Sequence, residues 1–314
     1  MIERLPELSA PVPDALSTVR NRVVDIARAA SFEVAARDGK AIDAVLARLD
    51  PGTQVSITWL PQDDDDARVA AARRLHEGGF TPIPHIAARM VHSEAHLRQL
   101  TSRLADTGVE QLLVISGDIK QATGPFNDST ALIDSPAFGH PALRHIWVGG
   151  YPEGHPAIDS ARLVGTLDAK IAAITAQGMT AGVITQFCFD SAPILGWMED
   201  FRGRHESVKM RIGLAGPAGI RTLMRYAALC GVGASAKIIA SRGASIARLL
   251  TEAAPDPIIR DLAATARFQQ LQPMGIHLFP FGGLDRTARW VEAVAAGDFD
   301  FNKSELGFRI LERT

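Results

Sequence analysis

The groups able to do chemistry in this chain lie at the ends of its apolar runs. Glu33 sits in SFEVAA, Thr58 closes QVSIT, and His85 lies near the end of TPIPHIA. VEQLLVISGD runs into Ser116, Gly117 and Asp118. HIWVGGYP leads into Tyr151, with His155 four residues later. TAGVITQF carries Thr185 and Gln186, and MGIHLFPF carries His277, followed by Asp285 and Arg286. Carboxylate, amide and imidazole groups brought together in this way can move protons and hold the polar edges of a ring. No cysteine and histidine set has the spacing of metal ligands, so no zinc site is predicted.

Such groups need a scaffold that brings many strand ends to one face. Eight β-type runs supply them, beginning at SFEVAA, QVSITWL, TPIPHIA, VEQLLVISGD, HIWVGGYP, TAGVITQF, VKMRIGLAG and MGIHLFPF. Helical stretches alternate with them at Gly39–Leu49, Asp65–His76, His92–Ala105, Ile158–Ala176, Pro193–Arg204 and Leu284–Ala295. Alternation of this kind implies parallel strands joined by right-handed crossovers, and eight units close a barrel. The expectation is an α/β fold: a single (β/α)8 TIM-type barrel with an extra N-terminal helix. That helix is predicted over Asp14–Ala29. Two or three added helices are expected between strands seven and eight, over Ile220–Gln272, broken near Gly231–Gly233 and Pro255–Pro257. One domain is expected over 1–314, with 1–29 as a helical extension and 297–314 as a polar tail outside the barrel.

Composition narrows the function class. The 314 residues are 46% hydrophobic, enough for a large core. With 33 basic and 35 acidic residues the net charge is −2, which predicts neither a nucleic-acid nor a membrane surface. Two cysteines, Cys188 and Cys230, make no disulfide framework. The N-terminus shows no signal-peptide pattern, and no apolar run is long enough to span a bilayer. A reducing, cytoplasmic setting follows. The acidic run Asp63–Asp66 reads as a solvated helix start favoured by the helix dipole.

The ordered set FEVAAR, VSITW, PHIAA, VISGD, YPEGHP and ITQFCFD resembles the methylenetetrahydrofolate reductase family over roughly Phe32 to Arg289. The resemblance implies an eight-stranded barrel with FAD at the strand C-termini. It also implies hydride passing between NAD(P)H and 5,10-methylenetetrahydrofolate, giving 5-methyltetrahydrofolate. Glu33 matches the family's general acid, and Asp118 its aspartate beside flavin and pterin. Gln186 matches a pterin-binding glutamine, and Arg286 an arginine for the folate glutamate tail. Thr58, His85, Ser116, Gly117, Asp118, Tyr151, His155 and Lys170 match flavin contacts. Ile220 falls where the family has a phenylalanine that stacks on substrate and nicotinamide. The role implied is in one-carbon and methionine metabolism or in methyl-group catabolism. A homo-oligomer is allowed.

Taken alone, each residue has a plainer reading. Glu33 is then a strand carboxylate paired with a base, Asp118 a turn or cap residue, and Gln186 a satisfied buried amide. His85 becomes a core histidine, and Lys170 and Arg286 solvated surface groups. The chain also departs from the family pattern. Val34–Arg37 replaces a Phe-Phe-Pro-Pro continuation, and Ser116 stands where arginine is common. Asn127–Thr130 lacks the tyrosine of a flavin-binding stretch, and Leu163, Thr166 and Ala169 replace polar contacts ahead of Lys170. These departures fall on the FAD contacts, while Glu33, Asp118 and Gln186 remain. Two alternatives stand beside the flavoenzyme: a flavin-independent reductase with direct hydride transfer to folate, and a non-catalytic folate-binding barrel.

Overall fold

The structure, a computed structural model, describes residues 15–232, 252–301 and 307–311. Eight strands form a closed, all-parallel barrel: β1 Ser31–Ala35, β2 Gln54–Thr58, β3 Thr81–Ala87, β4 Gln111–Ile115, β5 His145–Gly150, β6 Thr180–Thr185, β7 Lys209–Ala215 and β8 Met274–Phe279. Each strand neighbours the next in sequence. The pairing Ser31↔His277 and Phe32↔Leu278 between β1 and β8 completes the ring. All eight predicted strands are present. The apolar runs were legible because parallel strands buried on both faces read as near-continuous hydrophobic segments.

The helices are α1 Ala15–Arg28, α2 Gly39–Arg48, α3 Asp65–Glu77, α4 Glu94–Ala105, α5 Ser129–Ile133, α6 Ser160–Ala176, α7 Ser191–Arg204, α8 Ile220–Leu229, α9 Asp256–Ala264 and α10 Leu284–Ala296. Side-chain caps start many of them: Asp38, Asp64, Ser93, Asp128, Asp159 and Asp190 each accept a first-turn backbone N–H. Asp64 gives the acidic run its meaning as the start of α3. The five-residue α5 was not predicted, since one turn is too short to show a period. Of the helices expected between β7 and β8, α8 and α9 are seen; residues 233–251 lie outside the described residues.

The C-terminal stretch departs from its expectation as a polar tail. Phe299–Phe301 pairs antiparallel with Phe308–Ile310, and Phe299 and Phe308 are buried. Arg20 of α1 donates to the carbonyls of Gly297 and Phe299 and lies over the Phe299 ring. Alternation of Phe with polar residues is a strand signal that the low overall hydrophobicity obscured.

Inside the barrel, Ile83, Leu113, Trp147 and Ile184 form a small packed layer. Trp147 is almost fully buried and donates from Nε1 to Gln111 Oε1 at 2.9 Å. This layer closes the lower barrel, so the open face is the one at the strand C-termini, where barrel enzymes keep their chemistry.

Candidate functional site

Strand pleating decides what enters the barrel. In a parallel sheet, residues paired across strands share a face. Glu33 is opposite Ser56, Ser31 opposite His277, and His85 opposite the interior Leu113. These side chains therefore meet on the barrel axis. Glu33 Oε2 lies 3.6 Å from His85 Nε2 and 3.9 Å from His277 Nε2. Neither Nε2 has a hydrogen-bond partner among the described residues, and both atoms are buried. Ser31 Oγ lies 2.9 Å from His277 Nδ1 and 3.2 Å from the Ile276 carbonyl. If the Ser31 hydroxyl donates to that carbonyl, it accepts from Nδ1–H. That hydrogen bond directs Nε2 toward Glu33.

Burial pushes the His85 pKa down to about 4, with His277 and Arg68 adding to the shift and Glu33 opposing it. His85 is thus neutral at physiological pH. It is held from below by Arg68, fully buried in α3, whose Nη2 donates to the His85 carbonyl. Arg68 stacks over Trp59, 3.7 Å from the ring centroid, and reaches Asp65 Oδ1 at 3.5 Å. Neither Arg68 nor Ser31 was singled out from the sequence. Ser31 was accessible to it, two residues before Glu33 on the same strand face. Arg68 was not, because nothing in a helical arginine announces full burial.

The loop after β4 is organised from beneath. Arg89 donates to the carbonyls of Gly117, Ile119 and Asn127. Gly117 adopts φ +89°, and a Cβ there would stand 3.2 Å from the Ala87 Cβ. Glycine is needed at that position, and it sets the direction of Asp118. The side chain of Ser116 is turned to α5, accepting from the Ser129 backbone N–H at 3.2 Å. Asp118 is close enough to Tyr151 to add to the upward shift that burial gives its phenol. Cys230, at the end of α8, is raised to about 11 by partial burial and then by Asp118 and Glu33. The charge of Asp118 thus reaches both Tyr151 and the exposed Cys230.

A narrow pocket opens there between the loops after β5 and β6 and the end of α8, lined by Tyr151, His155, Gln186, Phe187, Cys188 and Cys230 among others. Tyr151 and His155 meet edge to face at 5.4 Å. Gln186 Oε1 accepts from the Phe187 N–H at 3.1 Å, and its amide nitrogen makes no hydrogen bond among the described residues. Thr58, at the end of β2, keeps a buried hydroxyl without a partner. A wider, more open surface groove lies on the outside of α3, lined by Asp66, Arg73, Arg74 and Arg103. It is remote from these groups.

Three further predicted positions have these surroundings. Ile220 is 9% exposed, packed at the head of α8. Arg286 is exposed in the first turn of α10. Lys170 is half-buried on α6; burial lowers its pKa and the facing Asp128 carboxylate opposes that shift. An FAD diphosphate is a dianion and needs cations or free backbone donors. Here the lysine in question already faces a carboxylate, and Asp128 accepts from the N–H groups of Thr130 and Ala131 at the α5 N-terminus. Among the described residues Ser116 supplies no charge for a flavin diphosphate and Lys170 shares its surroundings with Asp128, while Thr58 and the Ser116–Gly117 backbone could meet a ring. Among the described residues, no three His, Cys, Asp or Glu side chains are placed to hold a metal ion, and no helix is long and apolar enough to cross a membrane.

Comparison with known proteins agrees with this geometry. The model of the family described as methylenetetrahydrofolate reductase matches residues 40–248. A solved structure from Clostridium thermocellum, described as binding two copies of 5-methyl-5,6,7,8-tetrahydrofolic acid, is similar in fold. Its TM-score is 0.54 at 10% identity, over 89% of this chain and 96% of that one. An NADH-dependent reductase complexed with NAD aligns at a TM-score of 0.22 and 12% identity, over 62% of this chain and 79% of that one; a likeness so slight carries no argument.

Proposed function

Because the chain belongs to the methylenetetrahydrofolate reductase family, we propose that it interconverts 5,10-methylenetetrahydrofolate and 5-methyltetrahydrofolate, with NAD(P)H as the source of hydride. The observation that carries this reading is the Glu33 carboxylate on the barrel axis, between two imidazole Nε2 atoms that have no other partner. Opening the methylene bridge breaks a carbon–nitrogen bond and leaves the departing N10 in need of a proton. Glu33 supplies it, and the cation left on the N5 iminium then accepts hydride at the methylene carbon. His277, anchored by Ser31, fixes the surroundings of the Glu33 carboxyl group.

Asp118 and Gln186 hold the pterin. A carboxylate accepts from the pterin amino and ring N–H groups, and the free amide N–H of Gln186 donates to its carbonyl oxygen. Tyr151 beside Asp118 and the neutral His85 beside Glu33 confine the two carboxylates to a partly dry space, where a proton donor is more effective. The similarly folded Clostridium thermocellum protein binds 5-methyltetrahydrofolate, a ligand of the kind proposed here.

FAD would supply a relay for hydride between nicotinamide and folate, as the family resemblance implies. The departures from the family pattern at Ser116 and Asn127–Thr130 favour a second form, in which hydride passes from the nicotinamide directly to the folate in the same mouth. Reaction with [4-²H]NADH tests both. Deuterium retained in the methyl group of the product supports direct transfer. Loss of deuterium to solvent, together with flavin absorption at about 450 nm in the purified protein, supports the relay, because a reduced flavin exchanges its N–H with water. No NADH consumption with methylenetetrahydrofolate contradicts the reductase reading.

A further inference from the structure

The N-terminal end of the barrel holds two cations and a histidine that the proposed chemistry does not use. His145 opens β5, and Lys209 and Arg211 lie at the start of β7. Trp147 is paired with Gly182, Gly182 with Lys209, and Ile184 with Arg211. His145, Lys209 and Arg211 therefore share the inner face with the packed layer of Trp147 and Ile184. The His145 ring meets the Trp147 indole edge to face at 4.4 Å, and the Arg211 guanidinium lies 5.5 Å from the indole ring. Strand β6 runs between them, and it carries glycine where a side chain would intrude. A Cβ on Gly182 would stand 2.6 Å from His145 Nε2, so the missing side chain lets Nε2 turn inward.

Two polar atoms at this floor are buried without partners. His145 is 8% exposed, and its Nε2 makes no hydrogen bond among the described residues. The other ring nitrogen is committed. Nδ1 lies 2.6 Å from Thr180 Oγ1, whose hydroxyl donates to the Arg144 carbonyl at 3.0 Å and so accepts from Nδ1–H. Nε2 is then a bare acceptor, in a ring that burial keeps neutral at physiological pH, with Lys209 and Arg211 adding to that effect. Arg211 Nη1 donates to the carbonyls of Ala29 and Ile276, while its buried Nε–H donates to nothing among the described residues. No carboxylate pairs with Arg211 or Lys209 among the described residues. A buried donor, a buried acceptor and two unpaired cations are satisfied together by a ligand that accepts, donates and carries negative charge.

We propose that the barrel floor binds a phosphoryl group that retains a proton, as in hydrogen phosphate or a phosphate monoester. Its anionic oxygens accept from the Arg211 Nε–H and face the Lys209 ammonium, and its hydroxyl donates to His145 Nε2. Sulfate brings the charge but no proton, and sets its lone pairs against that of Nε2. The site lies at the opposite end of the barrel from the strand C-termini and stands independently of the folate reading.

The test follows the imidazole carbon and proton signals of the whole protein, labelled in histidine, near neutral pH and at constant ionic strength held with sodium chloride. Loss of one signal in His145→Gln identifies His145. Inorganic phosphate is expected to shift that signal saturably, half-complete at about 1 mM, and sulfate to need about tenfold more. Lys209→Gln, at an exposed position, should raise the phosphate concentration needed by about fivefold, and Arg211→Gln should abolish the shift. Glycerol phosphate distinguishes the source: a matching shift means that the floor admits a monoester, and a response to inorganic phosphate alone means that it takes the free ion. No saturable shift with either phosphate, an equal response to sulfate, or a shift that survives Arg211→Gln overturns the site. Should Arg211→Gln fail to fold, an unchanged half-saturation in Lys209→Gln overturns it equally.

Discussion

The carboxylate of Glu33 and the imidazole of His85 stand 3.6 Å apart on the barrel axis, with the imidazole kept neutral by its burial. A histidine whose folded pKa is about 4 binds its proton less readily than the same residue in the unfolded chain. Stability from that difference is present above about pH 6.5 and is lost as pH falls toward 4. His85→Gln removes the titration. Between pH 7 and pH 5 the unaltered protein is expected to lose about 2 kcal/mol more unfolding free energy than the variant. Urea unfolding at the two pH values measures this, and equal losses contradict it.

Arg68→Lys keeps the charge and removes both the planar stack on Trp59 and the Nη2 donation to the His85 carbonyl. The expected cost is about 2–3 kcal/mol in unfolding free energy, since a buried guanidinium site is not matched by an ammonium. A cost below about 0.5 kcal/mol by denaturant titration would show that Arg68 does not support the site.

Two glycine-to-alanine changes should act in opposite directions. Gly117 has φ +89° beside Ala87, so Gly117→Ala is expected to destabilise by about 1–2 kcal/mol and to raise the folate KM through the displaced Asp118. Gly165 lies inside α6, where an added methyl group would meet nothing within 4 Å, so Gly165→Ala should stabilise by about 1 kcal/mol and leave KM alone. Thermal unfolding and steady-state kinetics on the pair separate backbone strain from a general effect of added methyl groups.

Arg89→Met removes three donations to the loop between Gly117 and Asn127. The barrel should stay folded, while the folate KM rises roughly tenfold with a smaller change in kcat, because the loss falls on ligand positioning. A fall in kcat at unchanged KM would place Arg89 in the chemical step instead.

The barrel was legible because each strand is an apolar run and each crossover helix carries a face of apolar residues; Phe32 and Val34 flanking Glu33 show the pattern. Strand parity then brought Glu33, His85 and His277 together. The misses have physical causes. Ser31 is polar in a buried strand, and its partner His277 lies 246 residues away. Arg68 and Arg89 act through backbone carbonyls, which leave no mark in the sequence. Asp128, whose charge acts on Lys170, caps the five-residue α5, which the sequence pattern did not show. The buried Phe299 and Phe308 were masked by the polar residues between them.

The most direct measurement is the product formed from 5,10-methylenetetrahydrofolate and NADH under anaerobic conditions, separated by chromatography, for the unaltered protein and for Glu33→Gln. The former is expected to yield 5-methyltetrahydrofolate. The variant is expected to form it about 10²–10⁴-fold more slowly, with folate affinity changed only a few-fold. A Glu33→Gln protein that forms the product at an undiminished rate would contradict the assignment of Glu33 as the proton donor.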